Sequence, residues 1–257
     1  MSLRKFLRLT IPVVFVFLLV GCVPPAKTPM NTVFFTATEP ARNPVLLIFL
    51  PGKGDNPESY ETEGFVKAVK KLNLPVDMLG ADAHIGYYLK GNFPERLEKD
   101  VIIPAKAKGY ERIWLIGISL GGLGVLWYDG KYPGEVEGLV SLSPYLGEPE
   151  MGREVSKAGG LASWKPSHIA GDDMQRRIWQ GLKVYLAPDK TWSRVYLGYG
   201  LQDRFAGPDG VFAAVLPDRQ VFTCQGGHDW DTWRSLWTKV LDVLDQRWES
   251  KRADIEQ

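Results

Sequence analysis

Ile113-Trp114-Leu115-Ile116-Gly117-Ile118-Ser119-Leu120-Gly121-Gly122 decides the fold. A short apolar run rich in β-branched and aromatic residues reads as a buried strand, and it runs directly into G-x-S-x-G followed by a helical pattern. A turn from strand to helix this sharp needs small residues on both sides of the serine. The backbone can then take a strained angle that lifts the hydroxyl clear of the sheet. Ser119 is therefore a candidate nucleophile standing at the carboxyl end of a central strand.

Outward from this turn, apolar runs alternate with amphipathic segments. Strands are expected at 33–37, 45–50, 75–79, 112–117, 138–142, 194–199 and 220–224. Helices are expected at about 58–72, 95–108, 120–129, 209–215 and 230–248. That alternation predicts a mostly parallel sheet covered by helices on both faces. In the last helix Trp233, Leu236, Trp237, Val240, Leu241, Leu244 and Trp248 recur at helical spacing, which marks them as core rather than a ligand box. The interval 144–192 breaks the rhythm with scattered Gly, Pro and Trp and one expected helix near 172–181, and reads as a small inserted cap.

A serine hydroxyl attacks only when a neighbouring base takes its proton. Of the 3 histidines, His228 follows the final strand in Gly226-Gly227-His228-Asp229-Trp230, where two glycines let the loop turn tightly. Loops at the carboxyl ends of parallel strands converge on one rim, so His228 can reach Ser119. The carboxylate that orients a catalytic imidazole is expected after the penultimate strand, and Tyr196-Leu197-Gly198-Tyr199-Gly200-Leu201-Gln202-Asp203 puts Asp203 there. Asp189 and Asp209 are weaker alternatives. Asp229 is a poor one, because a sequence neighbour does not normally face the Nδ1 of the ring. Backbone donors for an oxyanion are expected at Leu120 and, from the loop Pro51-Gly52-Lys53-Gly54-Asp55, at Lys53.

With these residues in place the chain resembles the α/β-hydrolase superfamily over roughly residues 40–248. The order Ser119, Asp203, His228 matches that superfamily's chain order. The loop at 51–55 resembles the His-Gly-x-Gly-Asp loop of small carboxylesterases, with Pro51 where those have histidine. Gly227-His228-Asp229-Trp230-Asp231-Thr232-Trp233 is similar to the Gly-His-x-Trp-x-x-Trp ending of the esterase D and mycolyltransferase group. The resemblance implies an α/β-hydrolase fold, acyl chemistry through an acyl-enzyme, and neither cofactor nor metal. The reaction expected is hydrolysis of short-to-medium acyl carboxylic esters. Thioesterase, peptidase or acyltransferase activity would use the same constellation, and a non-catalytic surface-binding lipoprotein is the competing class.

The amino terminus carries a different signal. Arg4, Lys5 and Arg8 precede a largely apolar stretch from Leu9 to Val20, shorter than the roughly 20 residues that span a bilayer and within the about 7 to 15 of a secretory signal. Leu19-Val20-Gly21-Cys22 resembles the lipobox of bacterial lipoproteins. Residues 1–21 are then a signal peptide, and acylated Cys22 anchors the protein to a membrane. Val23 after the cysteine resembles the sorting pattern of outer-membrane lipoproteins, so the expected site is the bacterial cell envelope, and the outer membrane where the host has one. Residues 22–30 read as a proline-rich tether, and 31–257 as the folded domain. Three of the 31 basic residues fall in the leader, which leaves 28 against 30 acidic ones and no basic run for a nucleic-acid backbone. No nucleic acid and no protein partner is expected; the partner is a small-molecule or lipid ester.

Asp82 and His84 resemble half a metal site, but no third ligand sits nearby in sequence, so a rim or packing role is the expectation. Tyr87 and Tyr88 are candidates to line an acyl pocket. Trp164 and His168 in the cap could touch substrate, although a tryptophan covering the cap's own apolar face is the more ordinary reading. Cys224 is left without a disulfide partner if Cys22 is acylated, and is expected to be a buried, inert thiol.

Overall fold

The computed structural model describes residues 24–35, 45–171, 173–187 and 194–255, with side chains to 248. Its seven strands are β1 (Thr32–Phe34), β2 (Val45–Leu50), β3 (Val76–Ala81), β4 (Arg112–Ile118), β5 (Gly138–Leu142), β6 (Arg194–Gly200) and β7 (Val221–Cys224). They form one sheet in the order β1-β3-β2-β4-β5-β6-β7. Edge strand β1 runs antiparallel to β3, and all the other pairings are parallel.

Side chains on a strand alternate between faces, and this chain uses both. On β2, Leu46, Ile48 and Leu50 join one core with Leu115, Leu139 and Leu197. Val45, Leu47 and Phe49 join a second core with Trp114, Ile116 and Tyr196 on the opposite face. Every residue of β2 is buried, which explains why its sequence is a continuous apolar run instead of an alternating one.

Ten α-helices lie among the described residues: α1 (Ser59–Thr62), α2 (Phe65–Lys71), α3 (Ile85–Leu89), α4 (Phe93–Leu97), α5 (Ile103–Ala107), α6 (Leu120–Lys131), α7 (Pro149–Lys157), α8 (Met174–Leu182), α9 (Ala206–Ala213) and α10 (Trp230–Ile255). The second core is closed by α2 and α10, where Phe65 stacks on Trp237 at 5.5 Å between ring centroids. Helices α3 to α6, with α7, α8 and α9, close the first. None of the described helices is long and apolar enough to cross a membrane.

Departures from the expected elements have local causes. The helix expected at 58–72 is two helices, because Gly64 adopts a φ of 83° and breaks the run. The helix expected at 95–108 starts at Phe93 and passes through a π-helical turn at Glu98–Ile102 before α5, where Pro104 has no amide to bond the preceding turn. The interval between β5 and β6 holds two helices, not one. Trp179 of α8 donates to the Leu146 carbonyl at 2.7 Å, and Trp164 donates to Glu154 of α7 at 3.0 Å. The proline-rich stretch lies against the domain over its described part. Met30 is buried and donates its amide to Asp100 at 2.8 Å, and the Lys27 carbonyl accepts from Tyr87 at 2.9 Å. Residues 1–23, with Cys22 among them, fall outside the described residues.

Candidate active site

The elbow after β4 has the geometry its composition demands. Ser119 sits at φ 51°, ψ −112°, a region that L-residues rarely occupy, and it immediately precedes α6. Its amide donates to the Leu142 carbonyl at 2.9 Å, and its own carbonyl accepts from the Leu123 and Tyr145 amides at 3.1 and 3.0 Å. The surroundings thus hold the strained angle from three sides. A Cβ on Gly117 would lie 2.1 Å from the Gly121 carbonyl oxygen, and one on Gly121 would lie 2.0 Å from that of Leu50. Both glycines are there because backbone meets backbone. The Leu50 carbonyl also accepts from the buried Tyr60 hydroxyl at 2.6 Å, which fixes the end of β2 where the next loop begins.

His228 reaches this serine from the far edge of the sheet. Its Nε2 lies 2.8 Å from Ser119 Oγ, and its Nδ1 lies 2.8 Å from Asp203 Oδ2. Gly226, at φ 135°, makes the loop possible, since a Cβ there would lie 2.2 Å from Thr232 Oγ1. The ring is clamped edge-to-face between Phe205 and Trp233, at 5.1 and 5.0 Å between centroids. Asp229 does something else: its carboxylate accepts from the Thr232 amide at 2.9 Å and caps α10.

The Asp203 side chain is wholly inaccessible. Burial by itself would raise its pKa. The hydrogen bonds from His228 and the Phe205 amide, the latter at 2.9 Å to Oδ1, together with the charge of His228 and the nearby Ser143 hydroxyl, outweigh burial and hold the carboxyl below its usual range. Asp209, one turn into α9, is the contrasting acid. It is fully buried, with no hydrogen-bond partner for either oxygen among the described residues. Burial first, and the charge of Asp203 second, push its pKa well up. The surroundings thus shift two neighbouring carboxyls in opposite directions. Asp189 lies outside the described residues.

The loop after β2 lies against the serine, with a Cβ on Gly52 falling 3.7 Å from the Ser119 Cβ. The Asp55 amide closes a tight turn onto the Gly52 carbonyl at 3.2 Å, and Lys53 projects into solvent from that turn. Leu120 is the first residue of α6, where amides have no carbonyl of their own helix to bond. Among the described residues no cluster of three or more potential metal ligands occurs.

The other candidates have other surroundings. His84 caps α3, its Nδ1 accepting from the Gly86 amide at 3.1 Å. Tyr87 turns towards the amino-terminal stretch, while Tyr88 stacks on Phe93 at 4.4 Å and lines an apolar groove between α3, α6 and α8. His168 is exposed, and Trp164, in the interval between β5 and β6, is buried beneath the Lys183 ammonium. Cys224 is half-buried, with Sγ 3.9 Å from the Thr232 carbonyl, a correction to the fully buried thiol expected of a strand interior: β7 is an edge strand. Sequence reasoning missed Phe205, Ser143 and Tyr145. Their only signal was position at strand ends facing the same rim.

Comparisons with known proteins agree with this architecture. The family profile described as "Putative esterase" matches residues 10–242. Among solved structures, Est1E from Butyrivibrio proteoclasticus is similar at 22% identity, covering 85% of this chain and 93% of its own, with a TM-score of 0.60. The S-formylglutathione hydrolase FrmB from Staphylococcus aureus is similar at 13% identity, covering 84% and 92%, with a TM-score of 0.62. The fluorophosphonate-binding serine hydrolase FphF of the same organism is similar at 14% identity, covering 84% and 99%, with a TM-score of 0.58. At these identities the likeness shows the fold, that of the α/β-hydrolases. A search of curated proteins found no match.

Proposed function

The chain belongs to this esterase family and is a hydrolase, and from that premise we propose that it cleaves carboxylic esters through an acyl-enzyme on Ser119. The observation that carries the reading is the relay from Asp203 through His228 to Ser119, with both hydrogen bonds at 2.8 Å. Ser119 Oγ attacks the ester carbonyl as His228 Nε2 takes its proton. Asp203 holds the Nδ1–H tautomer and stabilises the imidazolium. The tetrahedral oxyanion is met by the backbone amides of Leu120 and Lys53. His228 then returns the proton to the departing alcohol, and water, activated by the same imidazole, releases the acid and restores the hydroxyl. Neither metal nor cofactor takes part in these steps.

The leader reading adds a location. Cleavage before Cys22 and acylation of its thiol would tether the enzyme to a membrane of the cell envelope, the outer one where the host has two, in reach of lipid and small-molecule esters. Fractionation tests this: Cys22→Ser should move the protein from the membrane to the soluble fraction, and an unchanged membrane fraction would refute it.

The activity is tested by labelling the leaderless protein with a fluorophosphonate, alongside turnover of p-nitrophenyl esters. Labelling and turnover should vanish in Ser119→Ala and His228→Ala. A folded wild type that neither labels nor turns over any ester would overturn the reading.

A further inference from the structure

A groove whose walls are mostly hydrocarbon begins at Leu120, the residue that follows Ser119. It has a volume of about 640 Å³ and lies between α3, α6 and the cap helix α8. That size is in the range that buries most of a drug-sized ligand. Its floor is one face of α6, from Leu120 through Leu123 and Trp127 to Lys131. Eleven steps at the helical rise give a trough about 16 Å long, enough for an extended chain of roughly a dozen carbons.

One end of the trough is tied to the reacting groups. Leu120 directly follows the serine, and Tyr145, which also lines the groove, bonds the Ser119 carbonyl through its amide. The Tyr145 ring meets Phe205 edge-to-face at 5.3 Å, and Phe205 in turn meets His228. Along its rim Leu89 and Met174 are 64% and 43% exposed, so apolar surface is left facing water where an aliphatic chain would cover it. The charged side chains lining it are Lys131 and Arg177, and Lys131, at the end remote from Ser119, is paired with Glu95.

We propose that this groove binds the acyl chain of the substrate and that the enzyme prefers esters of long, unbranched fatty acids of about 10 to 12 carbons. The inference rests on the serine-esterase reading and extends upward the short-to-medium length expected from a small cap. Helix α8 lines that groove together with α3 and α6.

Turnover of p-nitrophenyl esters from two to sixteen carbons, kept below their micellar concentrations, tests the proposal. The value of kcat/KM should climb roughly fourfold per added methylene and level off near 10 to 12 carbons, as burial of successive methylenes predicts. A matched series of acetates of long-chain alcohols should show no such climb. Gly130 lines the remote end, and a Cβ there would meet nothing within 4 Å; the same holds for Gly181 on the facing cap helix. Gly130→Trp and Gly181→Trp should each lower the ratio of kcat/KM for the 12-carbon to the 4-carbon ester by at least about tenfold. A profile that peaks at two to four carbons, a climb with the alcohol chain instead, or an unchanged ratio in both folded variants would overturn the proposal. Any of these with Ser119-dependent turnover intact leaves the esterase reading standing, whereas loss of all ester turnover in wild type defeats that reading first.

Discussion

Replacing Asp203 by Asn asks whether its carboxylate sets the tautomer of His228. Oδ1 accepts the Phe205 amide at 2.9 Å, while Oδ2 faces His228 Nδ1 at 2.8 Å. In Asp203→Asn the carboxamide oxygen must stay on the Phe205 amide, because turning the side chain over would set two donors against each other. The amide nitrogen then faces His228 and donates to Nδ1, forcing the ring proton onto Nε2. An Nε2–H presents a donor to Ser119 Oγ and cannot take its proton. The expected result is a fall in kcat of about 10³ to 10⁴, equivalent to about 4 to 5.5 kcal/mol of barrier, with KM little changed because Asp203 touches no substrate. Steady-state kinetics on a soluble p-nitrophenyl ester measure it, with thermal unfolding to establish that the variant is folded. A folded Asp203→Asn losing less than about tenfold would refute the argument. If Asp209→Asn then lost far more, the orienting acid would be Asp209.

Three further outcomes follow from the structure. Because the folded state keeps Asp209 protonated above the pH at which an unfolded Asp ionises, the folded protein binds more protons there, and this group's contribution to stability falls as pH rises from about 4 towards its raised pKa. Asp209→Asn, which mimics the neutral acid, should therefore gain thermal stability over wild type progressively across that window; a melting-temperature difference that is flat with pH would contradict it. Gly121→Ala drives a methyl to 2.0 Å from the Leu50 carbonyl oxygen, backbone against backbone, and should cost about 3 kcal/mol or more, a fall of roughly 6 to 12 °C in Tm together with loss of fluorophosphonate labelling. Trp179→Phe leaves the Leu146 carbonyl unpaired in a buried position and should cost about 1 to 3 kcal/mol, whereas Arg176→Gln, removing solvent-screened ion pairs to Glu154 and Asp173, should cost clearly less. Denaturant unfolding of the two variants compares them directly.

The sheet was legible because strands buried on both faces have to be apolar at every position. Val45–Leu50 and Arg112–Ile118 admit no amphipathic reading, and their spacing forces crossover connections. Helices were harder where their cause was local and weak. The five-residue α3 depends on one histidine side chain capping it, and His84 carries no periodic signal in sequence. The break at Gly64 is a single left-handed residue in an otherwise amphipathic run. Helix α7 was hidden because its apolar face is short, with Met151 and Val155 as its large buried residues.

At the site, what could be read depended on how chemistry meets backbone geometry. Ser119 and His228 announce themselves because each must sit in a turn that only glycine neighbours permit, so the sequence around them is constrained as well as the residues themselves. Asp203 and Asp209 had no such signature, six residues apart and both near the end of β6. Position after β6 favoured Asp203, and the surroundings separate the two further: one carboxylate has His228 and an amide to bond, and the other has no partner among the described residues. The groove was illegible for a related reason. Leu120, Leu123 and Trp127 look in sequence like the inner face of any helix, and nothing in their spacing shows that α3 and α8 leave a groove over them, with Gly130 and Gly181 among its lining residues. Filling either position is therefore the change that should convert a long-chain site to a short one without touching the serine, and it separates what the triad does from what the groove selects.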